Sequence, residues 1–440
     1  MRAIITNFGS AGDLQPYLAL IMEMRRHGHD VSFAFSPHFR GLIERHGIEF
    51  IPIGPDFEKA QYDIITESVA TPNIDYSAAH MRAMFAPLTA ALPQMFEELS
   101  VACRSADVLI SGPLQPASLM IHELTGIPFV SIQDAHFFGS GTPAYQQTTA
   151  ALINPFRERY GLPALRDPLT HDANSPQLAL YATSRHVLPP PSDWPGHHYM
   201  VGYFFFEDET WRPEPELVDF ISSGEAPVVF TFSSMTHTDP EAVTDLLLEA
   251  ISRVGCRAII QQGWSGLAKR PMPPRAFATG FAPHTWLFKY ASCVVHHGGA
   301  GTGAAAFRAG VPTVYVPHVA DQPLWAQLAY EMHLTVPPIP IHELTATRLA
   351  EAVSTMVNTP SYKMAAVELR EKVLAEQGVK KARMLIEDLV YKIGLQREQC
   401  DSLETDQVDA LEDRVSRRKK HQQQQRSRRR TLAAPQSLEK

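Results

Sequence analysis

The chain has 440 residues, 45% of them hydrophobic and 20% charged, which is enough for two globular domains with full cores. A net charge of −8 speaks against a general nucleic-acid role. No run of about 18 apolar residues occurs, so no membrane span is expected, and Cys103, Cys256, Cys293 and Cys400 lack the paired spacing of a disulfide framework or zinc site. Those cysteines fit a reducing compartment. The opening MRAIITNF reads as a strand rather than a signal peptide, so a cytoplasmic protein is expected.

Ala3 to Phe8 reads as an apolar strand. Gly9-Ser10-Ala11-Gly12-Asp13 is a tight turn, and Pro16 suits the first position of a helix. Leu18, Leu20, Ile21, Met24 and Arg25 continue that helix to Gly28. Val31 to Phe35 and Glu49 to Ile53 read as strands flanking a helix through Ile43 that stops near Gly47. This alternation predicts a doubly wound parallel sheet. The first turn is not G-x-G-x-x-G, so the dinucleotide-binding fingerprint is absent. Residues 62–77 are polar and irregular and read as a loop. Ala78 to Cys103 reads as a long amphipathic helix. Asp107 to Ser111 and Pro128 to Ile132 are strands around a helix from Ala117 to Leu124. From Gln133 to Pro195 the pattern weakens. Phe137, Phe138, Tyr145, Phe156 and Tyr160 stand there among Gly, Pro and Thr; they either line an apolar pocket or pack the domain.

Tyr199 to Phe206 leads into a Pro- and Glu-bearing linker, Glu207 to Glu216, taken as the domain boundary. A second alternation follows. Val228 to Phe232 is a strand ending in Ser233-Ser234-Met235, Pro240 to Val254 a helix, and Arg257 to Gln261 a strand. Ala291 to Val295 is a buried strand that runs into His296-His297-Gly298-Gly299-Ala300-Gly301-Thr302. This glycine-rich turn opens into an alanine-rich helix from Gly303 to Ala309. Free amides and the helix dipole make its start an anion site, and small residues admit a phosphate closely. Gly310-Val311-Pro312 stops the helix. Thr313 to Val316 is a strand, with Asp321-Gln322-Pro323 at its carboxyl end, where ligands sit in open α/β sheets. Helices at Thr345 to Val357, Tyr362 to Gln377 and Val379 to Ile393 close the folded part. Arg414 to Arg430 then holds nine Lys/Arg and no acid, a composition that cannot bury a core. That tail reads as a disordered segment with possible peripheral contact to anionic lipid.

His284, His297, Gly298, Gly299, Gly301, Thr302, Gly310, Val311, Pro312, Asp321 and Gln322 together resemble the donor-binding signature of nucleotide-sugar glycosyltransferases of small acceptors (the UDP-glycosyltransferase superfamily). The version here is most similar to sterol glucosyltransferases and to bacterial enzymes that glycosylate antibiotics and glycolipids. The resemblance covers about residues 1–393. It implies an α/β, GT-B fold, two doubly wound Rossmann-like domains facing across a cleft. The expected division is 1–206 for the acceptor domain, 207–216 for the linker, 217–378 for the nucleotide-sugar domain, 379–395 for a helix crossing back, and 396–440 for the tail.

The resemblance implies inverting transfer of a hexose, glucose from UDP-glucose, to a hydroxyl of a lipophilic sterol, polyketide, terpenoid or hydroxy-lipid. Ser234, His297, Gly298, Gly299, Gly301 and Thr302 would hold the diphosphate. Phe281 and Ala282 would take the base, with Phe281 stacking where the family commonly has Trp. Asp321 and Gln322 would bind the sugar hydroxyls. Gly9 to Pro16 resembles the family turn in which many plant members carry a catalytic His. Asp13 stands there as the expected base, with a helix N-cap as its alternative. Ser10, Met84, Phe137 and Phe138 are the expected acceptor pocket. No metal and no resident cofactor are expected. Ala305 occupies the position where many plant members grip the ribose with Glu, so a dTDP-sugar donor stays open. Other readings are a nucleotide-sugar epimerase or hydrolase and a catalytically silent partner of another glycosyltransferase.

Overall fold

The computed structural model describes residues 1–9, 11–56, 78–113, 115–133, 143–169, 171–233, 235, 237–263, 266–319 and 321–396. Ser10, Ser234, Phe137 and Phe138 lie outside them, as do the side chain of Met84, the expected loop 62–77 and the basic tail.

The first α/β layer runs β1 (Arg2–Thr6), α1 (Ala11–Arg26), β2 (Asp30–Phe35), α2 (Arg40–Glu44), β3 (Glu49–Pro52), α3 (Ala78–Ala102), β4 (Val108–Ser111), α4 (Ala117–Thr125), β5 (Phe129–Gln133), α5 (Pro143–Glu158), β6 (Leu178–Tyr181) and β7 (His198–Met200). All pairings are parallel, in the order β3-β2-β1-β4-β5-β6-β7. The order reverses between β1 and β4, so the loop after β1 opens at a switch point. β1 and β4 are buried on both faces, which is why they read as continuous apolar runs rather than alternating ones.

The second layer runs α6 (Pro215–Ser222), β8 (Val228–Thr231), α7 (Pro240–Val254), β9 (Ala258–Gln261), β10 (Ala276–Thr279), α8 (His284–Leu287), β11 (Cys293–His296), α9 (Ala300–Ala309), β12 (Thr313–Tyr315), α10 (Gln322–Glu331), α11 (Ala346–Asn358) and α12 (Pro360–Ala375). Its sheet is also parallel, in the order β10-β9-β8-β11-β12, with its own switch point between β8 and β11. One core packs α7 and α11 on the sheet through Leu247, Ile251, Leu349, Val353 and Met356. A helix at residues 378–396 (α13) ends the described chain. Met1–Ile386 forms one compact unit; Glu387–Lys440 forms another, of which residues 387–396 are described and helical.

Within the larger unit the chain returns to its first layer. Lys381 Nζ donates to the Met200 carbonyl at 3.2 Å, and Arg383 Nε pairs with Glu23 Oε1 at 3.2 Å. Gly202, just past β7, and Gly378, at the start of α13, meet backbone to backbone. A Cβ on Gly378 would collide with the carbonyls of Gly202 and Tyr203.

Three sequence expectations change. The first helix begins at Ala11, so Pro16 lies inside it, opposite the carbonyl of side-chain-free Gly12, and Asp13 is its third residue rather than its N-cap. The weak-pattern stretch holds α5 and β6. The buried face of α5 carries Thr148, Thr149 and Arg157 beside Ile153 and Phe156. Thr149 Oγ1 donates to the Tyr145 carbonyl of the same helix at 3.0 Å, and Arg157 pairs with Glu123 of α4 at 2.9 Å. A hydrophobic period cannot register such a face. Lastly, α6 starts within the expected linker, with Pro215 at its first turn.

Candidate active site

The register of the second sheet sets the site. Thr231, His296 and Tyr315 lie in one row across β8, β11 and β12, so the loops after these strands leave at the same level. His296 is fully buried and its Nδ1 accepts the Gly298 amide at 3.1 Å, which folds the glycine turn back on the strand end. His296 thus shapes the turn as well as filling the strand end. Burial first, and His284 second, push its pKa down to about 3, so the ring is neutral and free to accept.

Gly298 has φ +96°, and a Cβ there would sit 3.1 Å from the Tyr315 ring and 3.2 Å from the Gln322 carbonyl. Its amide is committed to His296. This narrows the expected cradle, because Gly298 contributes backbone shape rather than a free N–H. The Gly303 amide bonds the Gly299 carbonyl at 2.9 Å. The amides of Ala300, Gly301 and Thr302 are the opening N–H groups of α9, available to an anion.

His297 follows the strand end and is buried, with Nδ1 lacking a hydrogen-bond partner. Its pKa is held well below the usual range by burial and then by His296, His318 and His284. A Cβ on Gly299 would lie 2.5 Å from His297 Nε2, so glycine there is what lets the ring lie over the helix start. Thr302 is buried on the first turn of the same helix.

A polar chain sets the segment after β10. Gln261 Nε2 donates to the Ala282 carbonyl at 2.7 Å. Its Oε1 lies 2.9 Å from Thr231 Oγ1 and 2.9 Å from His284 Nε2. That oxygen only accepts, so His284 carries its proton on Nε2. Ala282 is thereby fixed and buried, while Phe281 beside it is 64% exposed. Gln261 escaped sequence reasoning because it ends an otherwise apolar strand.

After β12, Trp325 Nε1 donates to Asp321 Oδ2 at 2.6 Å. Burial first, and Asp13 as a further cause, raise the pKa of Asp321, against those bonds. Asp13, on the first sheet's α1, therefore stands close enough to Asp321 for their charges to interact. Asn7 Nδ2 donates to the Asp13 carbonyl at 3.2 Å, tying the start of α1 to the end of β1. Gln322 is buried; its Oε1 accepts the amides of His318 at 2.8 Å and Val319 at 3.1 Å. Its carboxamide thus braces the loop. Ala305 lies buried in an apolar cluster with Leu287 and Val294. Among the described residues no three His, Cys, Asp or Glu side chains converge as a metal site requires, and no helix is long and apolar enough to cross a membrane.

Comparison with known proteins places this geometry. Residues 3–135 match the glycosyltransferase family 28 N-terminal domain, and residues 245–386 match the erythromycin biosynthesis protein CIII-like C-terminal domain. The chain is 32% identical over 422 residues to the O-mycaminosyltylonolide 6-deoxyallosyltransferase of Streptomyces fradiae, covering 88% of this chain and 97% of that one. It is 30% identical over 410 residues to a sterol 3-beta-glucosyltransferase of Arabidopsis thaliana, covering 86% of this chain and 66% of that one. The crystal structure of the kitacinnamycin glycosyltransferase superposes with a TM-score of 0.70 at 21% identity, over 88% of this chain and 99% of that one, which fixes the fold. Two parallel α/β layers, a glycine turn at the second switch point and this agreement along the chain lead to one conclusion: the chain belongs to the GT-B glycosyltransferases that act on small-molecule acceptors.

Proposed function

We propose that this enzyme transfers a hexose, with UDP-glucose as the expected donor, to a hydroxyl of a lipophilic small molecule with inversion at the anomeric carbon. The observation that carries the reading is that Asp13 of the first layer lies within range for its charge to act on Asp321 of the second. A candidate base and a candidate sugar-binding carboxylate thus share one region of the fold.

In this reading the acceptor hydroxyl loses its proton to the Asp13 carboxylate as its oxygen bonds the anomeric carbon. The bond from that carbon to the diphosphate breaks on the opposite face, and its electrons leave with the diphosphate. An α-linked donor thus yields a β-glycoside, a nucleoside diphosphate and a proton that Asp13 returns to solvent. A positioned base typically contributes about 10²–10⁴-fold. Donors aimed at the leaving group often contribute more; here these are the α9 amides, the Thr302 hydroxyl and His297. Phe281 is expected to stack on the base, with Ala282 beside it, and Ser234 to join the phosphate contacts. Those groups meet the diphosphate charge without a metal, so turnover in excess EDTA is the expected result. Ser10, Met84, Phe137 and Phe138 remain the expected acceptor contacts, and the basic tail a contact to anionic lipid.

A second reading, a dTDP-deoxysugar donor, is favoured by Ala305, which offers no carboxylate to the ribose, and by the 6-deoxyallosyl group in the name of the Streptomyces fradiae relative. Incubation with UDP-glucose and dTDP-glucose in competition, over a pool of hydrophobic alcohols, tests both. Hexose adducts found by mass support the reading. Hydrolysis or epimerisation of the donor without any adduct would overturn it.

A further inference from the structure

One residue, Gln322, touches the three loops that leave β8, β11 and β12. Gln322 Oε1 accepts the amides of His318 and Val319, and its Nε2 donates to Met235 Sδ at 3.4 Å. Its carbonyl lies against Gly298. His318 is therefore held at a defined place in this junction. Its ring packs against Phe232 and His237, with centroids 5.0 and 5.3 Å away.

The hydrogen bonding of that ring is one-sided. Nδ1 lies 2.7 Å from the Val316 carbonyl oxygen. A carbonyl only accepts, so Nδ1 carries the proton, and Nε2 of the neutral ring is a bare lone pair. That atom is buried and has no partner. Burial first, and His237 next, push the pKa of His318 down to about 4, so the ring is neutral at physiological pH. Nε2 of His237 is likewise buried without a partner. A buried acceptor left without a donor is costly, and a ligand that brings a proton would relieve that cost. An ionised phosphate oxygen brings none and would face the lone pair unfavourably. A sugar hydroxyl brings one.

We propose that His318 Nε2 accepts a hydrogen bond from a hydroxyl of the hexose being transferred. His318 thereby selects a hydroxylated sugar over one deoxygenated at that carbon. This rests on the reading of the site as a sugar-nucleotide site, and the sugar would lie beside Asp321, three residues along the loop. Because Nε2 is shielded from solvent, the bond forms as the surrounding loops adjust to the sugar. Sites built to bond a hydroxyl reject the analogue that lacks it, because the buried group is then left unpaired.

The test needs no acceptor. Wild type and His318→Phe are titrated calorimetrically with UDP, UDP-glucose and the 2-, 3-, 4- and 6-deoxy forms of UDP-glucose. The expected result is that UDP binds both proteins within about 3-fold, while UDP-glucose binds the variant about 10–100-fold more weakly. One deoxy donor binds wild type with that same deficit and loses nothing further in the variant. His318→Gln, which keeps an acceptor, restores most of the difference. The proposal is overturned if all four deoxy donors keep the full penalty of the substitution, or if UDP weakens as much as UDP-glucose. Should the phenylalanine lower the melting temperature, His318→Leu carries the same comparison. If wild type binds dTDP in place of UDP, the dTDP-glucose series is used with the same criteria. Failure of wild type to bind either diphosphate would sink the donor reading itself, and this proposal with it.

Discussion

Desolvation, and after it the charge of Asp13 on the helix after β1, raises the pKa of the half-buried Asp321 at the end of the second sheet. Two carboxylates from separate layers whose charges repel are costly to hold together. A sugar with a hydroxyl toward Asp321 and an anomeric carbon toward Asp13 would use both. Asp13→Asn keeps the shape and the link from Asn7 to the backbone. We expect kcat to fall by about 10²–10⁴-fold while donor affinity and melting temperature stay nearly constant. A variant that melts early, yet turns over normally in its folded fraction, would return Asp13 to a structural role.

The raised pKa of Asp321 predicts a pH effect on stability. Removing its charge should also raise KM for the donor. A carboxyl whose pKa is raised in the fold is most favourable when protonated, below its unfolded value near 4, and that advantage disappears as pH rises through the folded value. At pH 7 Asp321 is therefore a burden on the fold, and Asp321→Asn, which can still accept from Trp325, should melt at a higher temperature than wild type. Melting curves at pH 4 and pH 7 decide this: the gain should be present at pH 7 and shrink toward pH 4.

Gly299 offers a clean probe of His297. Its φ is −59°, which alanine adopts without strain, so the cost of Gly299→Ala falls on the His297 ring 2.5 Å from the new Cβ. Affinity for UDP should fall by about 10-fold or more with little change in melting temperature. Unchanged affinity would place His297 outside the diphosphate contacts.

Gln322→Asn separates bracing from sugar contact. The shorter amide cannot reach both the His318 and Val319 N–H groups. If bracing dominates, affinity for UDP itself should weaken by about 10-fold and melting temperature should drop, since buried amides lose their acceptor. A variant that weakens only UDP-glucose, and binds UDP as wild type does, would point to direct sugar contact instead.

Much of this was legible in the chain. β1, β4, β8, β11 and β12 announce themselves as apolar runs because both sheet faces are covered, and the turn from His297 to Thr302 declares an anion site by its glycines and the helix behind it. What escaped was polar and long-range. α5 hides behind threonines and an arginine whose partners lie on other elements. Gln261, Asn7 and Gln322 act through side-chain hydrogen bonds that no period encodes. The commitment of the Gly298 amide to His296 depends on a ring turned back over its own chain. The meeting of Asp13 with Asp321 spans more than three hundred positions, and only the folded layers bring it about.

The backbone meeting of Gly202 and Gly378 limits how such an enzyme can be recombined. Exchanging halves with a relative at the 207–216 segment looks like one suture, but the chain crosses the seam twice. The second crossing, Glu376 to Arg383, lies against the end of β7 and against Glu23 of α1. A donor half grafted without its matching α13 would set an unfamiliar side chain where only a hydrogen fits, and would leave Glu23 facing a stranger. A chimera meant to keep one partner's acceptor and take the other's sugar must therefore change allegiance at 207–216 and change back before Glu376.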